Sequence, residues 1–129
     1  MAIESVRSVP LRVPETDRDV RLRISGLRHS EQSFEVRMFF GTPPRGGSKD
    51  HERFIGSFFM YGLGRARAGE AHPHTAPWDM TVPVSRAALH AARSAGAHGV
   101  SFALVDSSGS PLPGARLDFD DVGFETGAG

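Results

Sequence analysis

Apolar and polar residues alternate with a period of two in two segments near the start of the chain. This is the pattern of a strand that has one face on a core and the other in water. In 20–24 the apolar residues alternate with Arg21 and Arg23, and alternation resumes in 34–40, where Phe39 is the one apolar residue on the outer face. We therefore predict two strands here, antiparallel to each other.

The most apolar run of the chain is 54–61, and it is apolar on both faces for part of its length. A strand of this kind is covered on both sides, either within the domain or by a partner. The period of two places Phe58 and Met60 on one face and Phe59 and Tyr61 on the other, without deciding which face is core. These four residues are therefore the candidates for contact with a partner.

Turns and a short helix complete the predicted architecture. Glycine and proline punctuate two long loops, 41–50 and 62–78. Ser85 stands where a helix cap would stand, so we predict one short helix around 85–95 that ends near Gly96. The segments 100–105 and 117–124 predict a hairpin. The fold class is therefore mainly β, an antiparallel β-sandwich or barrel of about 6–7 strands with one short helix.

The length and composition indicate one domain. The chain has 129 residues and is 39% hydrophobic, which suffices for a single ordinary core. We divide it into an N-terminal extension at 1–19, a single β domain at 20–126 and a disordered tail at 127–129. The start of the chain resembles neither a signal peptide nor a membrane span, which predicts a cytoplasmic location.

The charge and cysteine content exclude several classes of function. Fifteen Lys and Arg balance fifteen Asp and Glu, so no overall field draws in nucleic acid or an anionic membrane. We predict neither as a partner. The chain has no cysteine, which excludes disulfides, thiolate metal sites and a cysteine nucleophile.

Two histidines in the second long loop are candidate metal ligands. His72 and His74 flank Pro73, and two residues at this spacing share a face in an extended chain, where a pair of neutral imidazoles can bind copper or zinc. His51, between Asp50 and Glu52, is the candidate third ligand. The alternative interpretation is that they are solvated loop histidines, which the lack of a carboxylate or a third histidine close by favours. A small metalloenzyme that uses all three stays open.

The sequence gives no motif for other catalysis. The Gly-x-Ser-x-Gly elbow of serine hydrolases is missing, and no glycine-rich segment has the Lys and Ser or Thr of a phosphate-binding loop. We therefore predict that the protein is not an enzyme, and the small metalloenzyme is kept as the rival interpretation. The apolar strand then indicates a binding surface, and Trp78, which follows Pro77, is a candidate anchor for the same partner.

Several segments together resemble the C-terminal β domain of type-3 copper proteins, the tyrosinases, polyphenol oxidases and molluscan hemocyanins. They are 22–29, 33–39, His51, 54–62, 80–89, 100–106 and 117–124. In particular, the sequence Phe-Ile-Gly-Ser-Phe-Phe-Met-Tyr-Gly of 54–62 is similar to the His-Tyr-Ala-Gly-x-Phe-x-x-Phe-Gly pattern of that family. The resemblance covers roughly residues 20 to 125, and it depends on the order and spacing of the segments.

The resemblance implies a function without catalysis. In that family the β domain lies over the dicopper site of the oxidase, inserts a bulky side chain into the substrate pocket and keeps the enzyme latent; bacterial relatives use a separate caddie protein that also helps to load copper. A similar role here implies a type-3 copper oxidase as partner, Phe58, Phe59 or Tyr61 as placeholder, and copper as the metal, with no intrinsic cofactor. The alternative is a free-standing β-sandwich for binding or self-association, with no copper role.

Overall fold

The computed structural model describes residues 2–4, 6–62 and 76–127. Within these residues nine strands and one helix form. The strands are β1 Ala2–Glu4, β2 Val6–Pro10, β3 Arg21–Leu27, β4 Phe34–Phe40, β5 Phe54–Met60, β6 Trp78–Pro83, β7 Gly99–Val105, β8 Arg116–Asp118 and β9 Asp121–Glu125, and the helix is α1 Arg86–Ser94. The chain is therefore mainly β, as predicted.

The strands form two layers. The first layer is a four-stranded sheet in the order β2-β7-β4-β5, and the second is a three-stranded sheet in the order β6-β3-β9. A short ribbon of β1 and β8 continues the second layer, because the backbone N–H of Arg28 donates to the carbonyl of Asp118 at 3.0 Å. All pairings between the described strands are antiparallel. This confirms the predicted sandwich; the described strands do not close into a barrel.

The core lies between the two layers and follows from the alternation of the strands. The inward residues of β4 are all buried: Phe34, Val36, Met38 and Phe40. They belong to one cluster with Leu22 and Ile24 of β3. The ring of Phe40 stacks on Phe124 of β9, with centroids 5.6 Å apart, so aromatic contact ties the first layer to the second.

The helix begins and ends where the sequence predicts. The hydroxyl of Ser85 accepts a hydrogen bond from the backbone N–H of Ala88 at 3.1 Å, which satisfies one of the free donors of the first turn. At the other end Gly96 has a positive φ of 65°, and the N–H of Ala97 donates to Ala92. This is the left-handed helix end that glycine favours. The buried face of the helix carries Leu89 and two alanines.

Removal of the helix cap should have a modest effect on stability. We expect Ser85→Ala to lower the free energy of unfolding by about 1 kcal/mol, because the N–H of Ala88 loses its partner. Urea denaturation at neutral pH measures this difference. Ser94→Ala, at the far end of the same helix, is the control and should change the value by less than about 0.5 kcal/mol. Equal losses in the two variants would contradict a capping role.

The N-terminal segment differs from its prediction. Residues 1–19, predicted as an extension, contribute β1 and β2, and the side chains of Ile3 and Val9 are buried. Edge position explains how so polar a segment can be a strand: β2 has one neighbour, β7, and its last residue, Pro10, needs no hydrogen-bond partner for its nitrogen. At the other terminus, the backbone N–H of Gly127 donates to Asp19 at 3.2 Å, and residues 128–129 lie outside the described residues.

Two predicted strand pairings are wrong. β3 and β4 lie in different layers, because their apolar faces oppose each other across the core. The predicted hairpin of 100–105 with 117–124 does not form either, since β7 lies inside the first layer while β9 lies in the second. After β7 the chain instead turns back on itself locally, with a bridge between Val105 and Pro111 and a hydrogen bond from the N–H of Leu112 to the carbonyl of Leu104.

Candidate functional site

The structure decides which face of β5 is core. Phe58 pairs with Val36 and Met60 pairs with Phe34, so both point into the core and are 9% and 2% exposed. Phe59 lies on the opposite face and is 60% exposed. Tyr61, directly after the strand, is 76% exposed. We call Phe59 and Tyr61 the aromatic patch.

The fold holds the aromatic patch in place from both ends of its segment. β5 pairs with β4 from Phe54 to Met60. Immediately beyond Tyr61, the backbone N–H of Gly62 donates to the hydroxyl of Ser33 at 2.7 Å. Gly62 also lies so close to the turn before β4 that a Cβ there would approach the carbonyl oxygen of Glu31 to 2.6 Å. A side chain at 62 would therefore push this segment off the turn, so the glycine keeps Tyr61 anchored.

A buried ionic cluster lies beside the aromatic patch. Phe59 is directly opposite Glu35 in the sheet, and the side chain of Glu35 is 5% exposed. Its carboxylate accepts from Nε of Arg37 at 2.8 Å and forms an ion pair with Lys49. Nη1 of Arg37 donates to the carbonyl of Gly47 at 2.9 Å. The 41–53 loop is thus fastened across the outer face of the first layer.

Burial and ion pairing act against each other on Glu35. Burial favours the neutral acid, but hydrogen bonds and charge attraction from Lys49 and Arg37 outweigh it and lower the pKa of Glu35 below its ordinary value. The alternation predicts that Glu35 and Arg37 lie on a solvated face, and this prediction is wrong, since their side chains are 5% and 15% exposed. The 41–53 loop covers that face, and the signal for it was Phe39, an apolar residue in the outward register that is fully buried.

The outer face of the second layer has the opposite character. Arg23 pairs with Asp79 at 2.7 Å and with Glu125 at 2.8 Å, and all three side chains are more than two-fifths exposed. Arg21 pairs with Asp19 in the same exposed way. Such a ladder of ion pairs is typical of a sheet face in water.

Trp78 is partly buried, so it does not belong to the exposed aromatic patch. It begins β6 opposite Leu27, is partly buried and packs against the core cluster. Its ring contacts the imidazole of His29, with centroids 4.7 Å apart. The predicted anchor therefore has contacts within the domain.

The predicted metal ligands are only partly within the described structure. Nδ1 of His51 accepts a hydrogen bond from the backbone N–H of Arg53 at 3.1 Å, which leaves Nε2 as its free nitrogen for a ligand role. His72 and His74 lie outside the described residues. Within 2–4, 6–62 and 76–127, no group of three histidine, aspartate or glutamate side chains is arranged to hold a metal ion.

Comparison with known proteins does not identify a family for this chain. No family model matches the chain, and a search of curated proteins finds no significant match. The single helix in the described part of the chain is too short to cross a membrane. A functional proposal therefore depends on the fold, the aromatic patch, the charge distribution and the resemblance of 54–62 and its neighbouring segments.

Proposed function

We propose that this protein is a non-catalytic accessory domain that docks on a protein partner through the aromatic patch. The observation that carries the proposal is the exposure of Phe59 and Tyr61, at 60% and 76%. Within the described residues, Val6 is the one other large hydrophobic side chain that is exposed. Aromatic side chains on a rigid support lose little entropy on binding and commonly dominate the energy of an interface.

The contrast between the two sheet faces supports docking from the β5 side. The second layer presents exposed ion pairs, such as Arg23 with Glu125, whose removal from water would be costly. The first layer presents the aromatic patch next to a cluster in which Glu35 is already paired and buried. A partner that covers Phe59 and Tyr61 gains apolar contact without breaking these pairs.

We propose a type-3 copper oxidase as the partner, on the resemblance of 54–62 and its neighbouring segments to the β domain of that family. A phenol or benzyl side chain has the shape to occupy a pocket that binds phenols. Phe58 is in the core, so the exposure favours Tyr61 or Phe59 as the placeholder. Assistance in copper loading would need His72 and His74 in addition to His51, and we derive no metal step from the described residues.

Co-expression with a type-3 copper oxidase encoded near this chain tests the proposal. The measurements are co-purification, copper content and phenol oxidation, each with and without this chain. We expect a complex in which phenol oxidation is suppressed until the chain dissociates, or an oxidase that acquires copper only in its presence. If the two proteins do not co-purify and neither property changes, the copper connection fails.

Variants of the aromatic patch locate the interface. Phe59→Ala and Tyr61→Ala should each weaken the complex by about 2 kcal/mol, the usual size for an aromatic hot spot, which is roughly thirtyfold in affinity. Val6→Ala is the control, because Val6 is also exposed but lies on β2, at the opposite edge of the same sheet. Equal losses in all three variants, or no loss at 59 and 61, would place the interface elsewhere.

Self-association is the second candidate, because β5 is an edge strand of the four-stranded sheet as described. An edge strand with exposed aromatic residues can pair with a second copy of itself. Light scattering coupled to size-exclusion chromatography decides this. A dimer that becomes monomeric in Phe59→Ala and persists in Val6→Ala would support this alternative and replace the oxidase as partner.

A further inference from the structure

A cleft lies at the end of the sandwich away from the aromatic patch. It forms where β2 and β4 end, where β7 begins and where α1 ends, and its volume is about 630 Å³. β5 separates it from the patch, since Arg53 lines the cleft and Tyr61 follows the other end of the strand, roughly 25 Å away at about 3.3 Å per residue. The volume is in the range of small-molecule sites.

The walls of the cleft are mainly apolar and their backbone is closely packed. Pro10 of β2 and Ala97, which follows the helix, contribute apolar side chains to the lining. Gly99 allows β7 to approach β2, because a Cβ there would lie 2.6 Å from the carbonyl oxygen of Val9. Among the described residues that line the cleft, none is acidic, while Arg53 contributes a positive charge. An apolar ligand with a negative group matches this lining.

The guanidinium of Arg53 is held by one of its nitrogens. Nη1 donates to the carbonyl of Thr42 at 2.7 Å and also to the carbonyl of Phe40. Both bonds use Nη1, so the described contacts leave Nε and Nη2 for a ligand. Nε and Nη2 form the planar fork that binds a carboxylate through two parallel hydrogen bonds. Because Nη1 is already fixed, less side-chain entropy is lost when the fork is used.

We propose that this cleft binds a small organic anion, a carboxylate on an aromatic or aliphatic body. The carboxylate pairs with Nε and Nη2 of Arg53, and the apolar body lies against Pro10 and Ala97. The proposal does not rest on the accessory function, because the cleft and the aromatic patch share no residue. One can fail while the other holds.

A titration with benzoate tests the site, with benzamide as its neutral analogue of the same shape. We expect saturable shifts of the backbone amide signals of Gly41, Gly96 and Gly99 in two-dimensional NMR spectra. Benzamide should bind at least tenfold more weakly, because it lacks the charge that the guanidinium recognises. Shifts that do not saturate, or equal binding of the two probes, would overturn the proposal.

Two variants and a control locate the ligand. Arg53→Gln should weaken benzoate at least tenfold, whereas Arg45→Gln, an exposed arginine of the same loop, should leave it unchanged. Thr42→Trp keeps the backbone carbonyl that holds Arg53 and fills the cleft from its exposed side, so it should abolish binding even if Arg53→Gln disturbs the local fold. Full binding in Thr42→Trp would show that the ligand lies elsewhere and would overturn the assignment.

Discussion

Phe40→Ala should lower the free energy of unfolding by about 3–5 kcal/mol, the usual cost of deleting a buried phenyl ring. Phe40 is fully buried, and its ring stacks on Phe124 across the two layers at 5.6 Å. The substitution therefore leaves a cavity at the point where the sheets meet and removes an aromatic contact between them. Urea denaturation followed by circular dichroism measures the loss.

Tyr61→Ala is the matched control, because it also deletes a ring but at a position that is 76% exposed. We expect a change within about 0.5 kcal/mol. A loss at Tyr61 comparable with that at Phe40 would mean that Tyr61 stabilises the domain and would remove the argument for docking. A neutral result leaves Tyr61 without a role in folding, as the proposed interface requires.

Local elements of the fold could be predicted because their signals are local. The alternation in 34–40 identifies β4, and Ser85 and Gly96 bound the helix through hydrogen bonds within a few residues. The pairing of strands could not be predicted in the same way. A period of two tells which face of a strand is apolar, but the same apolar face fits beside a neighbour or across the core from it. The sequence therefore predicts β3 beside β4, although the two strands lie in different layers.

The aromatic patch could be predicted only as a choice between two faces. The sequence separates Phe58 and Met60 from Phe59 and Tyr61, but the register with β4 decides that the first pair is buried. Phe39, an apolar residue in the outward register, indicates that this face is covered, but the sequence does not show that the 41–53 loop is what folds back over Glu35. That loop is held by the hydrogen bond from Arg37 to Gly47 and by the ion pair of Lys49 with Glu35. Both contacts join residues ten or more positions apart, which a pattern of period two does not reveal.

Glu35 shows how the loop is fixed to the sheet. Burial of a carboxylate is unfavourable unless hydrogen bonds and charges compensate it. Arg37 lies on the same strand and also donates to Gly47, while Lys49 belongs to the loop itself. One buried acid thus connects strand and loop, directly beside Phe59 in the sheet. Loss of this connection should lower the free energy of unfolding, and the size of this effect should depend on pH.

Glu35→Gln should lower the free energy of unfolding at pH 7 by about 2 kcal/mol, less than the roughly 3–5 kcal/mol of a fully buried pair because Lys49 is 42% exposed. The folded state lowers the pKa of Glu35, so its ionised form contributes full stability above the ordinary value of 4.5. That contribution is lost as the pH falls below 4.5 and through the folded-state pKa. The difference in free energy of unfolding between wild type and Glu35→Gln should therefore become smaller in acid.

Urea denaturation from pH 7 to pH 3 measures this difference. The control is Glu125→Gln, because the pair of Glu125 with Arg23 is exposed, and it should differ from wild type by less than about 1 kcal/mol at pH 7. If the difference between wild type and Glu35→Gln stayed constant down to pH 3, an ionised Glu35 would not be what holds the loop on the sheet.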